Sequence, residues 1–115
     1  MQQNLFDYET AVERVGGSGN FSELASRFVE YCPERISRLH QAVRNGDVEQ
    51  AGALANVLRG PLAVLSADRA HAAARELAIC SSVQDVVAMR GAAEVLVDEL
   101  RGLNVQLRRL LRKAA

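Results

Sequence analysis

In the stretch ANVLRGPLAVLSA, residues 55 to 67, an asparagine and an arginine stand three residues apart, followed at once by a glycine and a proline. Three residues is a helical spacing, so Asn56 and Arg59 share a face. Arg59 brings a positive charge that suits an acidic partner. Asn56 brings no nucleophile, because the lone pair of its amide nitrogen is delocalised into the carbonyl. Gly52, Asn56, Gly60 and Ala63 follow one another at steps of four and three. They make a face of small side chains that a partner can approach closely, although a packed neighbouring helix asks for the same small residues. Pro61 lacks the N–H that would bond the Val57 carbonyl, a loss of ~3 kcal/mol in a helix interior. The helix is expected to kink there, or to end at Gly60 and restart with Pro61 as its first residue.

Other chemistry is sparse. The chain has no GxxxxGK[ST], no HExxH and no GxGxxG. Its only histidines are His40 and His71, and neither has a neighbour at metal-ligand spacing. Cys32 and Cys80 form no CxxC, so both read as free, packed thiols in a reducing cytoplasm. A Cys–His dyad would need a tertiary contact. The pairs Glu9 and Glu13, Glu30 and Glu34, and Glu94 and Asp98 are like charges at spacing four. That is ordinary for an exposed face and unsuited to paired acid–base work. No metal, no cofactor, no small-molecule substrate and no enzymatic activity are expected. His40 flanks the apolar positions Leu39 and Val43. A turn near Gly46 sets it level with Gly52, one turn from Asn56, so it is expected at the edge of the same surface. His71, in an alanine-rich segment, reads as structural or merely exposed.

Five helical segments must position these groups. FDYETAVERVGG reads as a short helix, with Asp7 as its cap and Gly16 as its left-handed exit. The first five residues read as a loose tail. Asn20 and Glu23 have the spacing of a capping box that opens a second helix. Its stripe runs Phe21, Leu24, Phe28, Tyr31 or Cys32, Ile36, Leu39 and Val43, in phase across Pro33, and it ends at Asn45-Gly46. Asp47 and Gln50 open a third helix, whose buried stripe is Ala51, Leu54, Ala55, Leu58, Leu62 and Leu65. Ser66 or Asp68 restarts the chain as a fourth. Ser82 with Asp85 begins a fifth, carrying Val86, Met89, Ala93, Leu96, Leu100, Leu103, Leu107 and Leu110. This seam suits a helix bundle with short turns better than a free coiled coil. No strand pattern appears. The expected architecture is all-α: an antiparallel up-down four-helix bundle with a short extra N-terminal helix, in one domain over 1–115.

Composition narrows the partners. Fourteen basic and 14 acidic residues give a formal net charge of zero, without the basic excess of a nucleic-acid binder. Arg108, Arg109, Arg112 and Lys113 read as cations complementing the dipole at a helix end. No apolar run reaches the ~20 residues that span a bilayer, so no membrane role is expected and the location reads as cytoplasmic.

The order of these features resembles the histidine-containing phosphotransfer (HPt) domain family over nearly the whole chain. The shared features are a short helix ending in Gly16-Gly17, a long helix with Cys32-Pro33-Glu34 inside it, and a turn at Asn45-Gly46-Asp47. Ala55-Asn56-Val57-Leu58-Arg59-Gly60-Pro61 and Leu65-Ser66-Ala67 then follow. The resemblance implies that residue 56 stands where the family has the histidine that takes a phosphoryl group from a receiver-domain aspartate. It also implies that Arg59 replaces a lysine, Pro61 a serine and Ser66 a glycine. On that basis the chain is expected to bind a receiver domain, of a response regulator or hybrid histidine kinase, without accepting phosphate. The expected footprint is Gly52, Asn56, Arg59, Gly60 and Ala63, with His40 at the edge. Two alternatives stand beside it: a phosphocarrier that uses another histidine or whose acceptor has been exchanged for Asn56, and a structural oligomerisation bundle.

Overall fold

A computed structural model describes residues 4–114, with five helices and no strand among the described residues. In chain order these are α1 (Tyr8–Val15), α2 (Ser18–Arg44), α3 (Val48–Val64), α4 (Asp68–Ser82) and α5 (Val86–Ala114). Helices α2 to α5 close a ring: α3 packs most extensively on α4, α4 on α5, α5 on α2 and α2 on α3. α1 lies mainly on α2 and touches α3. This is the four-helix bundle with a short extra N-terminal helix that the periodicity predicts.

The expected stripe of α3, from Ala51 to Leu65, is buried at all six positions. Met89, Ala93, Leu96, Leu100, Leu103 and Leu107 of α5 face it across the core, and Phe21, Phe28, Cys32 and Leu39 come from α2. Each buried leucine contributes about 2 kcal/mol of transfer free energy, so the continuous stripes dominate the choice of fold. No described helix is long and apolar enough to cross a membrane.

The helix ends are set by local hydrogen bonds. Asp7 accepts from the Thr10 backbone N–H at 3.1 Å, and that bond lowers its carboxyl pKa. Gly16 takes φ 83° and Gly46 φ 62°, both left-handed. Asp47 caps α3 by accepting from the Gln50 N–H at 3.0 Å, and Asp85 caps α5 by accepting from the Ala88 N–H at 3.0 Å. Two expected starts are displaced. Ser82 belongs to the end of α4. α2 begins two residues before Asn20, whose Nδ2 turns back to donate to the Val15 carbonyl at 2.9 Å and so satisfies the end of α1. Of the tail expected over 1–5, residues 1–3 lie outside the described residues. Leu5 is held, its N–H donating to Gln106 Oε1 of α5 at 2.8 Å.

α3 runs through Pro61 without interruption, so the expected alternative in which the helix ends at Gly60 does not occur. α2 likewise runs through Pro33, behind Cys32, and at Pro61 the neighbouring glycine eases the passage further. Proline crowds the Cβ of the residue before it in the helical region, and Gly60 has no Cβ to crowd. Past the helix, Ser66 holds φ 56°, a left-handed conformation that costs a residue with a Cβ about 1 kcal/mol. Its Oγ is buried with no hydrogen-bond partner. A glycine, which the resemblance implies for this position, carries neither cost.

Candidate functional site

α3 turns outward the positions its core stripe leaves over. Ala53, Asn56, Val57, Gly60 and Ala63 are exposed, and Arg59 is half-buried. Val57, at 56% exposure, is the largest apolar group on this side. Arg59 Nη1 donates to Asn56 Oδ1 at 3.3 Å. The bond orients the amide: Oδ1 faces the guanidinium, and the NH2 group is left as a donor. Neither ion pair among the described residues involves Arg59; they join Arg38 to Glu34 and Arg69 to Glu99.

The space above the helix differs along its length. A Cβ built on Gly60 meets nothing within 4 Å, so this position borders open solvent. Ala63 exposes its methyl, but its carbonyl accepts from Arg14 Nη1 at 2.6 Å, which ties α1 to the C-terminal end of α3. No sequence signal points to that bond, which spans 49 positions.

Two of the residues expected in the footprint lie elsewhere. Gly52 is buried, and a Cβ there would collide with the Ser81 side chain of α4. The Ser81 hydroxyl meanwhile donates to the Val48 carbonyl at 2.7 Å, closing the α3–α4 contact. The small-residue stripe therefore divides: Gly52 is the close-packing residue, and Asn56, Gly60 and Ala63 form the open part. His40 is exposed but lines a groove between α2 and α5, with Val43, Arg90, Glu94 and Arg101 among its walls and no residue of α3. Hairpin register fixes its height along α2, whereas its direction around the helix turns it toward α5.

The remaining reactive groups stay apart from this face. His71 is half-buried on α4. Burial pushes the Cys32 thiol up to about 11 and raises that of Cys80, so both are thiols at neutral pH. No group of three or more potential metal ligands occurs among the described residues. From Ala51 to Val64 the exposed side of α3 can offer amide and guanidinium N–H groups to an oxyanion, and it holds no group that could attack one.

The sequence profile of the Hpt domain matches residues 23–113, from early α2 to the end of α5. The chain belongs to the Hpt domain family. The crystal structure of histidine-containing phosphotransfer protein B (HptB) from Pseudomonas aeruginosa PAO1 shares this HPt fold. The TM-score is 0.85 over 97% of this chain and 98% of that one, at 16% sequence identity. No curated protein matches the sequence significantly. Membership makes the chain a phosphorelay signalling module. HPt domains carry phosphoryl groups without being catalysts, and they work with the receiver domains of response regulators or kinases.

Proposed function

We propose that this HPt domain binds a receiver domain without taking its phosphoryl group, and so acts as an adaptor or decoy in a phosphorelay. In this reading Asn56 stands at the acceptor position. The observation that carries it is an exposed amide on α3, between the buried Ala55 and Leu58, hydrogen-bonded to Arg59. A phosphoryl acceptor needs a nitrogen lone pair, and the amide has none to give. What the face retains is suited to docking. One guanidinium meets the acidic pocket of a receiver, Val57 supplies apolar contact, and Gly60 and Ala63 permit close approach. Gly52 and His40 have no part in this footprint.

The experiment is a titration against receiver domains encoded in the same genome. Gly60→Arg fills the open space with a long side chain and abolishes binding, while circular dichroism and melting show the bundle still folded. Arg59→Ala weakens binding by about 1–3 kcal/mol if its charge is paired and partly desolvated in the complex. Affinity falls with added salt, because part of the attraction is between exposed charges. Unchanged affinity of Gly60→Arg would move the interface off α3.

A further inference from the structure

We infer that the Asn56 face prefers a phosphorylated receiver over an unphosphorylated one and lengthens the lifetime of its aspartyl phosphate; this rests on the receiver-binding reading above. With Oδ1 of Asn56 taken by Arg59 Nη1, the outward group is NH2, a pure donor. The remaining guanidinium N–H groups of Arg59 lie beside it. From Ala51 to Val64, α3 carries no carboxylate and no histidine, so Arg59 is the only charged side chain over that part of the helix. Two neighbouring donors with one positive charge fit a group that has several oxyanion oxygens. An aspartyl phosphate has more such oxygens and more negative charge than the free aspartate, so it gains more from the contact.

The same geometry bears on hydrolysis. An aspartyl phosphate is lost when a water oxygen attacks phosphorus opposite the acyl oxygen. A new P–O bond forms, the P–O bond to the acyl group breaks, and its electron pair leaves with the carboxylate. The proton of the water passes to solvent, and inorganic phosphate is released. In a complex docked on Asn56, the NH2 group fills the place from which that water would come. It donates to the phosphoryl oxygens and cannot attack. It is also no base for water, since an amide takes up a proton only in strong acid. The exposed imidazole of His40 lies in the α2–α5 groove, away from this position.

The test uses the full chain and a receiver it binds, with magnesium present throughout. Affinity is measured for the receiver alone and for the receiver loaded with beryllofluoride as a stable phosphoryl mimic. The loaded form is expected to bind about fivefold tighter or more. The receiver is then phosphorylated with acetyl phosphate, desalted and followed with and without saturating HPt domain. Its half-life is expected to lengthen by about threefold or more, as water is excluded from the phosphoryl group. Asn56→Ala should lose most of the preference for the loaded form and most of the protection. Equal affinity for the two forms with an unchanged half-life overturns this inference and leaves the receiver-binding reading intact. A shortened half-life with release of inorganic phosphate also overturns the inference alone. No binding to any receiver, or transfer of the phosphoryl group to the wild-type chain, overturns both.

Discussion

Asn56→His gains an acid-labile phosphoryl group when mixed with a phosphorylated receiver, under conditions where the wild type gains none. The substitution places an imidazole with a free nitrogen lone pair at an exposed position of α3. In the transfer, the N–P bond forms at the ring nitrogen as the P–O bond to the aspartate breaks, and the carboxylate leaves with its electron pair. The open space over Gly60 lets the donor approach. Arg59, one turn from residue 56, supplies a positive charge beside the phosphoryl group. Intact mass before and after mild acid measures the gain, which is expected to go from undetectable to near-stoichiometric. A variant that binds the receiver but stays unphosphorylated would show that Arg59 or Pro61 had spoiled the geometry as well. The obstacle to transfer would then lie in the backbone of α3 rather than in one side chain.

Gly52→Ala lowers the stability of the bundle, although alanine is worth about 0.8–1 kcal/mol more than glycine in an ordinary helix interior. The added Cβ would lie against the Ser81 side chain, with Ser81 Cβ at 2.5 Å. Relief requires Ser81 to move, which breaks its hydrogen bond to the Val48 carbonyl. Gly52→Leu is expected to cost about 3 kcal/mol, the upper end of ordinary overpacking, and to lower the melting temperature by about 10 °C. Receiver binding by the folded fraction of either variant should be unchanged, in contrast to Gly60→Arg. A higher melting temperature for Gly52→Ala would mean that α3 and α4 pack less closely than described.

Gly52 and Gly60 show where the sequence is and is not legible. Both are glycines on one stripe, at spacings that a docking face and a packed face share. Their difference comes from which side of α3 the fourth helix occupies, and no local pattern carries that information. The placement of His40 turns on a related point. Counting back from the turn at Gly46 gives its level along α2, but its azimuth decides whether it borders α3 or α5. The core was legible because burial imposes a period: every position of the α3 stripe and the central positions of the α5 seam are buried as the spacing predicts. Boundaries were less so. Asn20 has the residue type and spacing of a cap, yet it bonds backward to Val15, because the same side chain can serve the end of one helix or the start of the next. α3 persists through Pro61 as α2 does through Pro33, and Gly60 eases the first of these, a local compensation visible in the sequence only when the two residues are weighed together.

This HPt domain is expected to engage a receiver and leave the phosphoryl group where it was. The most direct measurement mixes the wild-type chain with a receiver labelled on its aspartyl phosphate, then separates the complex and follows the label. The expected result is a complex in which all the label remains on the receiver. Label on this chain, lost in acid and absent from His40→Ala or His71→Ala, would contradict it and name the histidine that carries the phosphate.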